Sequence, residues 1–149
     1  MTLVYKQIIV AVDGSKESEW AFKKAMAITD RNDATLNLVN IIDTQSYASV
    51  EAYGRTIAED AHKFTEELLN KYKSEAVQAG VLNVNVIVEY GSPKKMISRD
   101  LPEKLGADLI ICGATGLNAV ERFLMGSVSA NIVRSAKCDV LVIRRPEHL

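Results

Sequence analysis

Along the chain, short apolar runs alternate with longer stretches in which apolar side chains recur every three or four positions. The first run, residues 8–12, is continuous and rich in β-branched side chains and stops at Asp13-Gly14-Ser15. It predicts a strand buried on both faces and then a tight turn. From Ser15 to about Thr29, Trp20, Ala21, Ala25 and Ile28 recur at helical spacing. Glu17 and Glu19 stand early in that stretch, where carboxylates suit the positive end of a helix dipole. Residues 35–42, bracketed by Asn32-Asp33 and Asp43, predict a second strand with a polar linker after it. A long helix is expected from Glu51 to Gly80, with a seam of Ile57, Ala61, Phe64, Leu68 and Tyr72 and with Gly80 as its stop. Next come a strand at 84–88, a helix at 93–105 opened by Ser92-Pro93, and an all-apolar strand at 109–112 running into Gly113. A short helix at 127–135 and a fifth strand, Val140 to Ile143, complete the pattern, and Pro146 lies beyond the last ladder.

Strands written as apolar runs rather than alternating patterns, and separated by helices, predict a parallel sheet with helices on both faces. The expected architecture is one doubly wound five-stranded α/β domain over residues 1–149, with strand order 3-2-1-4-5. In that order the chain reverses direction across the sheet between strands 1 and 4, and ligands of such folds bind outside the carboxyl ends at that point. The turn after strand 1 and the loop after strand 4 therefore draw the functional attention.

Composition narrows the field. Apolar residues make up 48% and charged residues 25% of 149, close to a globular average, so a disordered chain is excluded. Eighteen cations against nineteen carboxylates give a net charge of −1, which supplies no general field for nucleic acid. With no apolar run long enough for a membrane span and a start that passes directly into a strand, the expectation is a cytoplasmic protein. Cys112 and Cys138 read as small core residues of a reduced chain. With only His62 and His148 beside them, they draw no zinc site of usual spacing.

The loop after strand 4 reads Gly113-Ala114-Thr115-Gly116, then nine residues, then Gly126-Ser127-Val128-Ser129 opening a helix. Glycines let backbone approach a ligand, and a helix start presents unpaired N–H donors, so together they describe an anion cradle. The same residues also read as plain turn formers, with Ser127 as an N-cap for its own helix. The length of the excursion from Ala114 to Gly126 tips the balance toward function. Asp13 has two readings as well, a ligand carboxylate or a turn and cap residue. Arg122 reads as a solvated ion pair or subunit contact, and neither histidine has a partner suited to nucleophilic catalysis.

The spacing Gly113-x2-Gly116-x9-Gly126-Ser127, with the strand Cys138 to Ile143 after it, resembles the ATP-binding signature of the universal stress protein family. The opening Ile8-Ile9-Val10-Ala11-Val12-Asp13-Gly14-Ser15 resembles that family's first strand and turn. The resemblance implies an adenine-nucleotide alpha-hydrolase-like fold with ATP bound at the switch point, accompanied by Mg or Mn. It implies that Ala11 and Val12 border the adenine, that Asp13 accepts from the ribose hydroxyls, and that Asn40 and Ile41 close the other side of the base. Gly113, Thr115 and Gly116 would line the phosphates, and Gly126, Ser127, Val128 and Ser129 would receive them. Thr115 stands where family members often carry a basic or imidazole side chain, which leaves phosphate neutralisation to metal and backbone donors. A homodimer through the final strand Val140 to Ile143 is also implied, and an apolar edge strand needs such cover.

No residue set assigns catalysis beyond a slow ATP hydrolysis, so the chain reads as a nucleotide-dependent regulatory protein rather than an enzyme. An adenylating or ATP-pyrophosphatase-type enzyme is the alternative, with phosphates on the strand-1 turn, and a flavodoxin-like domain for another anion is a third.

Overall fold

The computed structural model describes residues 3–43, 51–116 and 125–146, the side chains of 51–58 excepted. Five strands form one sheet in the order β3-β2-β1-β4-β5, every pair parallel: β1 (Gln7–Ala11), β2 (Thr35–Asp43), β3 (Asn83–Gly91), β4 (Leu109–Gly113) and β5 (Asp139–Ile143). β1 lies between β2, with Val10 beside Leu38, and β4, with Val10 beside Ile111. This is the predicted order, with the predicted switch point.

Alternate side chains of each strand feed two cores. Ile8, Val10, Leu36, Leu38 and Ile111 face the layer of α1 (Lys16–Asn32) and α2 (Glu51–Gln78), where Phe22 stacks on Tyr72 with ring centroids 4.5 Å apart. Ile9, Val39, Ile110 and Cys112 face the opposite layer. That layer holds α3 (Pro93–Lys95), a π turn (Met96–Asp100), α4 (Leu101–Leu105) and α5 (Ser127–Ser135).

The predicted helix at 93–105 is thus helical throughout, but not uniformly α. Pro102 has no N–H for the Ser98 carbonyl four residues back, and its ring crowds that carbonyl. The chain widens there instead: Leu101 N–H reaches the Met96 carbonyl, and Ser98 Oγ donates to the Lys94 carbonyl at 2.6 Å. β3 runs from 83 to 91 rather than 84 to 88, because exposed Asn83, Asn85 and Glu89 hide a strand from a reading based on apolar runs. β1 ends at Ala11, one residue early, and Val12 N–H still donates to the Val39 carbonyl at 2.9 Å. The polar linker after β2 lies outside the described residues.

Candidate functional site

The turn after β1 satisfies its own hydrogen bonds. Gly14 takes φ +88°, a left-handed conformation that lets the chain reverse within two residues. Asp13 Oδ1 accepts from Ser15 N–H at 2.9 Å, and Ser15 Oγ accepts from Ser18 N–H at 3.1 Å, capping α1. Ser18 Oγ accepts from Asp13 N–H at 3.3 Å and donates to the Ser15 carbonyl at 3.0 Å. Asp13 is therefore a turn former and Ser15 is the cap. Asp13 Oδ2 has no hydrogen-bond partner among the described residues. It faces Gly116, where an added Cβ would stand 2.6 Å from it.

The start of α5 is built the opposite way. Its N-cap is Gly126 with ψ 160°, and no side chain caps it. Ser127, read from sequence as a possible cap, is instead the exposed first residue of the helix. The first intrahelical bond runs from Ala130 N–H to the Gly126 carbonyl, which leaves the N–H groups of Ser127, Val128 and Ser129 without partners among the described residues. Three bonds hold this helix end in place. Gly126 N–H donates to the Ala114 carbonyl at 2.7 Å, and Ala114 N–H to the Ile143 carbonyl at 2.8 Å. The buried Ser129 Oγ donates to the Gly113 carbonyl at 2.6 Å. Residues 117–124, with Arg122 among them, lie outside the described residues, as does His148. His62, on α2, stacks on Tyr90 and pairs with Glu66 at 2.9 Å.

Between these two features lies a cavity of about 480 Å³ at the carboxyl ends of the strands. Ala11 lines it from the end of β1, Val12 and Asp13 from the turn that follows, and Asn40 and Ile41 from β2. Gly113, Thr115 and Gly116 line it from the β4 loop, and Gly126 to Ser129 from the α5 start. All twelve residues singled out from sequence meet in this one space. Asn40 does so with its amide engaged, since Nδ2 donates to the Val12 carbonyl at 2.6 Å and ties β2 to the end of β1. β2 runs to Asp43, one residue past its expected end, and Asp43 also borders the cavity.

The sequence reading missed Ser18, Val39, Pro93, Ile97, Cys112 and Ile132 in this lining. Val39 was reachable by strand parity from Ile41, and Cys112 only as the residue before Gly113. Pro93, Ile97 and Ile132 were not, because only the packing of the π turn and α5 brings them there. Burial pushes the Cys112 thiol above its ordinary range, against a hydrogen bond to Ser129 that works the other way. It is an apolar floor residue at neutral pH.

No Lys, Arg or His among the described residues lines the cavity, and none of their His, Cys, Asp or Glu side chains gather in threes to hold a metal. Positive potential comes from the bare N–H groups of α5 and its dipole. The space between Gly116 and Asp13 and that between Gly126 and Thr115 would be narrowed by any side chain, since a Cβ on Gly126 would lie 3.6 Å from Thr115 Cα. These features fit an elongated ligand with an anionic tail on α5, a polar middle at Asp13 and a flat apolar end against Val39, Ile41 and Ile97.

An open parallel sheet with such a cleft at its switch point is a doubly wound α/β domain of the ligand-binding type. The sequence profile of the universal stress protein family matches residues 4–144. A putative universal stress protein of Staphylococcus haemolyticus is 55% identical over 145 residues, covering 97% of this chain and 88% of that one. The chain belongs to the universal stress protein family. Among solved structures, universal stress protein UspA from Lactobacillus plantarum superimposes with a TM-score of 0.89 at 27% identity, over 96% of this chain and 100% of that one. A universal stress protein in complex with cAMP superimposes with a TM-score of 0.72 at 25% identity, over 96% and 99%.

Proposed function

We propose that this stress-response protein binds ATP in the switch-point cavity and works as a nucleotide-dependent regulator rather than a catalyst. The observation that carries the reading is the contrast between two helix ends that face one space. The α1 end is capped by Ser15, which accepts from Ser18 N–H, whereas the α5 end has three N–H donors and no side-chain cap. Phosphates belong on α5, with Gly113, Thr115 and Gly116 beneath them and Ser127 and Ser129 at hand. The ribose hydroxyls donate to Asp13 Oδ2, and the adenine lies between Ala11, Val12, Asn40 and Ile41. The alternative of an adenylating enzyme needs phosphates on the β1 turn, where the N–H groups of Asp13, Ser15 and Ser18 already have acceptors.

With no cation among the described residues of the wall, Mg or Mn accompanies the phosphates, held by them and by the backbone cradle rather than by a protein ligand set. The relative in complex with cAMP supports an adenine ligand for this fold. We further propose a homodimer through β5 and a cytoplasmic location, the latter in keeping with two unpaired cysteines. Among the described residues no helix is long and apolar enough to cross a membrane.

Isothermal titration of nucleotide-stripped protein with ATP and magnesium tests the ligand, with ADP, AMP and GTP as competitors. The expected result is saturable ATP binding that is lost in Asp13→Ala and Gly116→Val. A folded, stripped protein that takes up no ATP would overturn the proposal and leave the glycine loop a structural device.

A further inference from the structure

A second cavity, of about 380 Å³, lies on the α4 and α5 side of the sheet, beneath the π turn and at the start of β5. It is lined by Ser98, Arg99, Pro102, Glu103, Lys137 and Cys138, together with Ala107. None of these residues borders the first cavity. The π turn separates the two: Ile97, buried, sits in the wall of the first, and the next two residues sit in the wall of the second. The turn widened to accommodate Pro102 brings Arg99 into the same lining as Lys137, and such π turns recur at binding sites.

The charges on this wall are unpaired. Neither Arg99 nor Lys137 has an ion-pair or hydrogen-bond partner among the described residues, and Glu103 has none either. Residues 93–105 and 127–138 carry six cations and two carboxylates, with Asp108 and Asp139 as two further carboxylates near Cys138, in a chain whose net charge is −1. An anion is therefore drawn to this face although the protein as a whole repels it slightly. Arg99 offers a planar fork of donors and Lys137 a point charge, a pairing suited to an oxyanion. Ser98 Oγ is engaged with the Lys94 carbonyl, which leaves Glu103 as the carboxylate acceptor of the lining.

We propose that this second cavity binds a small metabolite carrying an oxyanion, phosphate or carboxylate, together with hydroxyl or ammonium donors. Arg99 and Lys137 receive the anion, and Glu103 accepts from the donors. The site is separate from the nucleotide cavity and does not rest on ATP binding there.

Cys138, half-buried on the same wall, is a built-in reporter, and Cys112 in the first cavity is its control. The full-length protein is alkylated with iodoacetamide in the presence of ribose 5-phosphate, glutamate or inorganic phosphate. Each is raised to about 10 mM, the range of weak metabolite affinities, and the two cysteines are read separately by peptide mass spectrometry. At least one probe is expected to slow Cys138 saturably, by about tenfold at a concentration ten times its Kd, without slowing Cys112. Ribose 5-phosphate and glutamate separate a phosphate ligand from a carboxylate one. The protection should persist in Asp13→Ala and disappear in Arg99→Gln/Lys137→Gln, whose exposed positions leave the unfolding midpoint unchanged. Three results would each overturn the proposal: no probe protects Cys138; protection survives in the double variant; or Cys138 reacts in urea but is never reached in the folded protein.

Discussion

Two glycines of the β4 loop sit against different neighbours, and the difference predicts different consequences. A Cβ at Gly113 would lie 2.8 Å from Glu17 Cβ and 3.0 Å from its carbonyl carbon, atoms fixed in the first turn of α1. Backbone cannot retreat as a side-chain tip can, so Gly113→Ala should destabilise the fold by about 1–3 kcal/mol. At Gly116 the obstacle is only the Asp13 carboxylate, which can swing away. Gly116→Ala should leave the unfolding midpoint within about 0.5 kcal/mol of the parent while weakening ATP binding, because the displaced group is the proposed ribose acceptor. Urea unfolding and titration on both variants check the pair. Equal effects on stability would contradict the geometry. Both glycines stand out in the sequence as a motif, but their separate neighbours do not, since Glu17 and Asp13 come from the far side of the switch point.

At the scale of the element, α5 is a short helix whose position depends on contacts outside itself. Ile132 is fully buried beneath it, and Ser129 Oγ anchors it to the Gly113 carbonyl. Removing that hydroxyl leaves a buried acceptor unmatched, so Ser129→Ala should cost about 1–3 kcal/mol and loosen the N–H cradle. Ser127→Ala, at an exposed position with no capping bond, should cost almost no stability. Urea titrations of the two variants decide this, and a Ser127 effect as large as that of Ser129 would return Ser127 to the role of cap. The sequence reading set both serines together at the helix start; the distinction between anchor and free hydroxyl follows from which one turns inward over β4. The π turn has a similar history. Pro102 and Ser98 are visible in the sequence, but a proline inside a helical pattern signals a break or a kink equally well.

For the whole molecule, the proposed dimer rests on the open side of β5. Its sheet partner is β4, and its other edge has no strand among the described residues. The Ile143 carbonyl accepts from Ala114 N–H, so Ile143 and Leu141 direct their backbone groups to β4, whereas Val142 directs its own to the open edge. Val142→Pro therefore removes an outward N–H and spares the ladder to β4. Sedimentation velocity should show a dimer for the parent chain and a folded monomer for the variant. A parent chain that is monomeric at all concentrations would sink the proposed β5 interface. The alternative cover, the linker after β2, lies outside the described residues.

The sequence by itself determined the order and kind of the elements. Apolar runs mark strands buried on both faces, helical periodicity marks what covers them, and the alternation of the two admits few topologies other than a doubly wound sheet. It also pointed to the place of the first cavity, because the turn after β1, the loop after β4 and the start of α5 meet in any sheet of that order, whereas Ala11, Val12, Asn40 and Ile41 were implied only by the family resemblance. What the tertiary structure decided is everything that depends on one element lying against another. Ile97 and Ile132 reach the cavity through packing of the opposite layer. Asn40 is tied to Val12 across two strands. Glu17 blocks any side chain at Gly113, and Arg99 and Lys137 meet in the lining of a second cavity. Periodicity is a property of one segment at a time. Contacts between segments far apart in the chain leave no local pattern, so only the folded arrangement reveals them.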